Sequence, residues 1–317
     1  VSLRFDQTVP RQLAHRRALG EVFVADSAQV ADDAYVLALQ VPRAHSLWFD
    51  RRSDYHDPLS LVEATRQASF VIVHRHLGVP VGLPFTLQSV CFRTDDLGCF
   101  VDSRRAPLEG VLSLRVVQRR EAGSLQGSLR LAGSVEVGGA QAMTMEGEIV
   151  FMSSADYEAL RAYQRRRKPL GGDPSPAVQG LAPADVGRAD PRNVVVGEPA
   201  QTAGGLSFPL VVDRTHPSFF DHDFDHVPGP LLGEAFRQAA IVTAYRAGEL
   251  AVPEAIVTAC EAAFSDFAEL DAPVQITVSP RRGQATRRLE LDVEVRQLDR
   301  RIAEASITLR AYPDDPA

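Results

Sequence analysis

The feature that most constrains this chain is that it repeats itself. Laid over one another at an offset of 171 residues, Tyr35–Asp50 and Leu206–Asp221 match at Leu39/Leu210, Val41/Val212, Arg43/Arg214, His45/His216, Phe49/Phe220 and Asp50/Asp221. The same offset carries Glu63, Ala64, Arg66, Gln67 and Ala68 onto Glu234, Ala235, Arg237, Gln238 and Ala239. Two clusters held in one register are hard to obtain by chance. A chain of 317 residues built this way is two copies of one folding unit. The repeats are expected over 1–155 and 191–317. Between them, 156–190 is rich in Gly, Pro, Ala and Asp and reads as a linker.

Each copy shows the same succession of patterns. Extended segments come first, Glu21–Val24 with Tyr35–Val41 and later Asn193–Val196 with Leu206–Val212. A helix follows. In the first copy Asp57 is placed to cap it, Pro58 occupies its first turn, and Leu59–His76 ends at Gly78. In the second copy it runs from about Pro230 to Ala247 and ends at Gly248. Both helices are apolar on most faces, so both should be buried. Alternating segments close each copy: Ser113–Gln118, Ser128–Val137 and Met143–Met152, then Val274–Val278, Arg288–Gln297 and Glu304–Ala311. Turn-rich connections predict antiparallel pairing. One buried helix and an antiparallel sheet, twice over, is an α+β architecture.

Composition narrows the class of function. Hydrophobic residues make up 45% and charged residues 24%, as in a globular protein. No apolar run is long enough to span a bilayer, and Val1–Asp6 lacks the pattern of a signal peptide, so a cytoplasmic protein with no membrane partner is expected. A net charge of −7 argues against general nucleic-acid affinity. Cys91, Cys99 and Cys260 form no CxxC pair and read as packing residues. Arg165-Arg166-Arg167-Lys168 reads as a solvated basic face, with docking of an acidic partner as the alternative. His222, Asp225 and His226 are near one another, yet nothing joins them at a ligand spacing, so no metal is expected. Neither a phosphate-binding loop, a dinucleotide fingerprint nor Gly-x-Ser-x-Gly occurs, and no cofactor is expected.

The chemistry should sit on the helices. Glu63, Arg66 and Gln67 share a helix face, as do Glu234, Arg237 and Gln238. On an otherwise apolar helix such groups must be paired, because desolvation is costly. They are either a buried ion pair tying the helix to its sheet, or a polar cluster ending an apolar tunnel, the Glu acting as base or orienter and the Arg holding an anion. The second copy is richer upstream. His222 and His226 lie among Asp221, Asp223 and Asp225, and Pro228-Gly229 makes a turn whose N–H groups could meet an oxyanion. The first copy keeps His56 before its helix and lacks the Pro-Gly turn. The second copy is therefore expected to hold the main site.

These motifs also carry a resemblance. Phe220-Asp221-His222-x-x-Asp225-His226-Val227-Pro228-Gly229-x-Leu231-Leu232-x-Glu234-Ala235-x-Arg237-Gln238-Ala239 resembles the second-repeat motif of the A-factor biosynthesis (AfsA-type) hot-dog family. Arg43-Ala44-His45, Tyr55-His56-Asp57-Pro58-Leu59 and Glu63-x-x-Arg66-Gln67-Ala68 resemble its first-repeat motif. His15-Arg16, Glu21–Val24 and Asp26 resemble its N-terminal segment. The resemblance implies a double hot-dog fold, a long helix wrapped by an antiparallel sheet and duplicated as a pseudo-dimer within one chain, with homodimerisation left open. It also implies an acyltransferase in the making of γ-butyrolactone, butenolide or furan signals that control antibiotic production. Such an enzyme moves a β-ketoacyl group from an acyl carrier protein, or from CoA, to the hydroxyl of dihydroxyacetone phosphate. On that reading Glu234 with His222 or His226 removes the hydroxyl proton. Arg237, with Arg66 as a second candidate, binds the phosphate, and Gly229 offers its N–H to the oxyanion. Glu63 completes the site from the first copy, and Gln238, Gln67 and His56 join the substrate-binding groups. The Pro-Gly-x-Leu-Leu-x-Glu-Ala run is also similar to hot-dog dehydratases. A thioesterase or dehydratase acting on acyl thioesters, or a non-catalytic acyl-binding regulatory protein, are the alternatives.

Overall fold

The computed structural model describes residues 2–121, 125–171, 177–281 and 288–312. The chain forms two compact units, one comprising Val1–Phe49 and Asp54–Gln164, the other Asp50–Ser53 and Arg165–Asp315. In the first unit the strands are β1 (Val24–Ala31), β2 (Ala34–Val41), β3 (Phe85–Thr94), β4 (Leu108–Glu121), β5 (Gly127–Val137) and β6 (Ala140–Phe151). Helix α1 (Pro58–Val71) lies between β2 and β3 in sequence, and α2 (Ser154–Arg166) follows β6. In the second unit β7 (Ala200–Gln201) and β8 (Leu206–Pro209) precede α3 (Gly229–Arg246), and β9 (Ile256–Phe264), β10 (Gln275–Pro280), β11 (Arg288–Gln297) and β12 (Arg300–Arg310) follow it.

The two sheets have one topology. The first is ordered β1-β2-β4-β5-β6-β3 and the second β7-β8-β10-β11-β12-β9, antiparallel throughout. Their cores match rung for rung. Leu37, Leu112, Val135 and Met143 stand side by side across β2, β4, β5 and β6, and all are fully buried. Phe208, Ile276, Val295 and Ala303 do the same across β8, β10, β11 and β12. Side chains alternate across a strand, so this register turns one apolar face of each sheet toward its helix. Helix α1 packs on β1 and β2, and α3 on β10, β11 and β12. This is the expected α+β arrangement, a hot-dog repeat made twice.

The helices begin and end where the sequence places them. Asp57 caps α1 by accepting from Leu59 N at 3.0 Å. Gly248 takes a left-handed φ of 77°, and Gly248 N and Glu249 N bond back to Tyr245 O and Ala244 O, closing a Schellman turn. Gly78 takes φ 71°, but the last turn before it, Ile72–His76, is a π turn. Strands β3 and β9 escape the pattern analysis, as does the two-residue β7, and β1 begins only where the expected segment Glu21–Val24 ends. A register shift between Leu87 and Ser89 breaks the alternation of β3. β9 is rich in alanine, a weak strand former.

Two expectations about the region between the repeats change. The segment 156–190, read as a linker, carries most of α2, and near its end Arg188 is only 2% exposed. Its stretch 172–176 lies outside the described residues. The basic run is not a uniformly solvated face. Lys168, the chain's one lysine, is buried; its Nζ lies 2.8 Å from Glu269 and 3.2 Å from Asp266, and donates to Phe267 O. Arg165 pairs with Glu269 and Asp271. The acidic partner of this run is the unit's own loop. Removing one member of a buried ion cluster leaves the rest uncompensated. Lys168→Met should therefore lower stability by about 3 kcal/mol in urea unfolding. Arg166→Gln, at an exposed position, should stay within about 0.5 kcal/mol.

Candidate active site

In the second unit the helix presents Glu234 to three donors at once. Arg188 reaches its carboxylate through Nε at 3.0 Å and Nη2 at 2.8 Å. Arg237, one turn along α3, donates from Nε at 2.9 Å and Nη2 at 2.6 Å. Gln238 donates from Nε2 at 2.6 Å. The same amide ties the helix to the chain ahead of the sheet, giving a second bond to Asn193 O at 2.6 Å and accepting from Val195 N at 2.9 Å. His216 stands beside this ring. Its Nδ1 accepts from Ser218 N and Phe219 N, so in the neutral ring the proton is on Nε2, which donates to Asn193 Oδ1 at 2.9 Å.

The first unit builds the same cluster. Glu63 accepts from Arg16, from Arg66 Nε and Nη2 at 2.8 Å each, and from Gln67 Nε2 at 2.8 Å. Gln67 also holds Glu21 O and Phe23 N. His45 Nδ1 accepts from Leu47 N and Trp48 N, and its Nε2 lies 3.1 Å from Glu21 Oε2. The copies differ at the arginine after the Glu. Arg237 is buried, whereas the Arg66 side chain is 21% exposed, lies over the Phe70 ring and has Nη1 unengaged among the described residues.

Electrostatics decide what these carboxylates can do. Burial alone would raise the pKa of Glu234, but the charges and hydrogen bonds of Arg188 and Arg237 outweigh it and hold the group at about 2. Burial is likewise opposed at Glu63, by Arg16, Arg66 and Gln67, and its pKa falls well below the usual carboxylate range. Glu234, with five donors on its two oxygens, is thereby kept ionised near neutral pH, an arrangement suited to orienting its neighbours.

The sequence-predicted residues thus fall into three groups. Glu234, Arg237 and Gln238 are brought together, as are Glu63, Arg66 and Gln67. His222 and His226 lie on the loop before α3, and neither is a partner of Glu234. The His222 ring packs on Phe224 at 4.1 Å, and its Nδ1 is 3.8 Å from Asp221, beyond hydrogen-bond range. His226 Nδ1 meets Asp225 Oδ1 at 2.6 Å, and its ring packs edge-on to Phe267 at 4.6 Å. Gly229 opens α3, where Pro228 takes the cap position and no side chain caps the helix. His56, buried, has Nε2 at 3.5 Å from Asp102 Oδ1. Among the described residues no three His, Cys, Asp or Glu side chains gather as a metal site.

Residue-by-residue reading missed Arg16, Arg188, Asn193 and Asp50. A signal for the first three existed. Arg16 and Glu21-Val22-Phe23-Val24 align with Arg188 and Asn193-Val194-Val195-Val196 at an offset of 172, one residue from that of the main repeat. A one-residue gap between the two blocks hides the match.

Fold and site together define a hot-dog repeat protein with a duplicated, buried Arg-Glu-Arg-Gln cluster. The chain belongs to the A-factor biosynthesis hotdog domain family, whose profile matches residues 2–153 and 173–313. A relative from Streptomyces virginiae, a 2-oxo-3-(phosphooxy)propyl 3-oxoalkanoate synthase, is 34% identical over 86% of this chain and 87% of its own. A protein of the same name from Streptomyces coelicolor is 32% identical over 86% and 82%. Solved structures share the fold at low identity. One assigned as an oleoyl thioesterase of Lactobacillus plantarum has a TM-score of 0.52 at 13% identity, covering 89% of this chain and 98% of its own. A pyran synthase domain of the sorangicin pathway has 0.52 at 14%, covering 94% and 100%.

The cluster makes a prediction about acid. The pKa of Glu234 is about 2 in the fold against an ordinary 4.5, so its stabilisation is complete above 4.5 and drains away as the pH falls toward 2. Glu234→Gln strands two buried guanidiniums and should lose about 3–5 kcal/mol near neutral pH. Its remaining stability should fall less steeply than that of the parent across that window, as followed by thermal unfolding.

Proposed function

We propose that this chain is an acyltransferase joining a β-ketoacyl group, carried as a thioester on an acyl carrier protein, to a hydroxyl of dihydroxyacetone phosphate. The carrying observation is the 34% identity, across 86% of this chain, to a synthase whose name spells out its product. A 2-oxo-3-(phosphooxy)propyl ester of a 3-oxoalkanoate is dihydroxyacetone phosphate acylated on its free oxygen. Membership of the A-factor biosynthesis family supports a role in making a γ-butyrolactone, butenolide or furan signal.

In the step itself the hydroxyl oxygen attacks the thioester carbonyl. A C–O bond forms, the C–S bond breaks, and the hydroxyl proton passes by way of a base to the departing thiolate. His222 or His226 is that base, because an imidazole nitrogen can both accept and return a proton and both residues lie on the loop that leads into α3. The N–H of Gly229, at an end of α3 that no side chain caps, faces the developing oxyanion. Glu234 is the orienter in this scheme. It holds Arg237 and Gln238, whose donors are directed to Glu234, Val186 O and Asn193 O.

The test mixes a β-ketoacyl carrier protein with dihydroxyacetone phosphate and follows the phosphorylated ester by mass spectrometry. Ester is expected only when both are present. Thioester lost at the same rate without the acceptor would make the chain a thioesterase instead. Replacing the catalytic histidine by Ala should lower kcat about 10²–10⁴-fold. If His222→Ala and His226→Ala both retain full activity, the assignment of the base is wrong.

A further inference from the structure

The ring of hydrogen bonds around Glu234 is closed by a residue far away in sequence. Asp50 lies between segments of the first unit along the chain, yet it belongs to the second. Its backbone carbonyl accepts from Arg188 Nη1 at 2.6 Å. Oδ1 of its carboxylate accepts from Ala189 N at 2.8 Å and Asp190 N at 3.3 Å. Oδ2 accepts from Asn193 Nδ2 at 2.7 Å and from Asp190 N at 3.2 Å. Arg188 then runs to Glu234, Glu234 to Gln238, Gln238 to Asn193, and Asn193 back to Asp50.

The Asn193 amide can face only one way in this ring. Its oxygen meets the protonated Nε2 of His216 and its nitrogen meets a carboxylate. The Arg188–Asn193 segment is otherwise a short turn (Pro191–Asn193) with little regular structure of its own. A single carboxylate supplies acceptors for two backbone N–H groups and one side chain within it.

We propose that Asp50 is a positioning residue of the second repeat's site: its carboxylate fixes the Arg188–Asn193 segment, and so sets Arg188 against Glu234 and the Asn193 amide against His216. Its part in turnover rests on the acyl-transfer reading above; its part in the geometry does not.

Exchange of the two polar groups isolates the carboxylate. Asp50→Asn puts an NH₂ group opposite either the backbone N–H groups or Asn193 Nδ2, so donors face donors. Adding Asn193→Asp restores complementarity. The amide now at position 50 would donate to the carboxylate now at position 193, which still accepts from His216. The oxygen of that amide would serve Ala189 N and Asp190 N. The backbone carbonyl contact from position 50 to Arg188 survives in both variants.

The single variant should lose about 10–100-fold in kcat, the range set by a small misplacement of site groups. KM for the acyl donor should stay within about twofold, since no substrate contact is removed. The exchange variant should recover kcat to within about threefold of the parent. Nitrogen-15 spectra of His216 provide a second measurement that needs no substrate. The protonated Nε2 signal should broaden in Asp50→Asn and become a single sharp line again in the exchange variant, at a position set by its new carboxylate acceptor. If the parent forms no ester, the acyl-transfer reading fails, and the His216 signal still decides the role of Asp50. Parental kcat and an unchanged His216 signal in Asp50→Asn would overturn the proposal, as would an exchange variant no better than the single one. If Asp50→Asn does not fold, a folded, active exchange variant supports the proposal, and one that is unfolded or inactive overturns it.

Discussion

A carboxylate moved out of water must be given back every hydrogen bond it loses, or it will not stay ionised and the helix carrying it will not stay buried. Glu234 and Glu63 stand in the middle of helices with almost no exposed face. Each is satisfied by two guanidiniums and an amide, and in each case one guanidinium comes from a segment that precedes the sheet. The glutamines do the complementary task, bonding the carboxylate on one side and the backbone of the preceding segment on the other. The polar cluster therefore fixes how each helix sits against its own sheet, which apolar packing alone, tolerant of sliding, would specify less sharply.

The same arrangement keeps the helix carboxylates ionised. Low dielectric makes the Arg–Glu attraction strong, and the resulting pKa of about 2 at Glu234 leaves no affinity for a proton near neutrality. The histidines ahead of α3 stand outside this cluster, His226 bonded to Asp225 and His222 packed on Phe224. The loop that packs on His226 is itself anchored from below. Phe267 O accepts from Lys168, Ala268 O accepts from Val227 N, and Glu269 is held by Gln297 and Lys168. The basic run expected to be a solvated face thus supports, through Lys168, the loop against which His226 packs.

The copies have diverged where chemistry is concerned and not where packing is. The two four-residue rungs of the core occupy the same sheet positions. By contrast, Asp57 caps one helix where Pro228 stands before the other. Glu21 faces His45 where Asn193 faces His216. His15 and Gly187, each just ahead of its arginine, share a left-handed backbone, but only the histidine carries a ring, which meets His74 at 2.7 Å. Duplication supplied one scaffold twice, and the polar residues around it then specialised.

The repeat offset, the helix caps at Asp57, Gly78 and Gly248, and the burial of both helices were legible in the sequence because each rests on local periodicity or on a backbone preference of single residues. So was the sharing of one face by Glu234, Arg237 and Gln238, since helical spacing alone requires it. The strands β3 and β9 were not, for a bulge and an alanine-rich run remove the alternation that marks a strand. Nor were the partners of the cluster. That Arg188 rather than solvent meets Glu234, and that Asp50 closes the ring from more than a hundred residues away, follows from where the chain returns in three dimensions. Sequence by itself determined which groups would be buried and would need partners. Only the tertiary structure decided which partners answered, and so whether a buried carboxylate would be a base or a brace, because a pKa is set by the charges that surround a group in space and not by its neighbours along the chain.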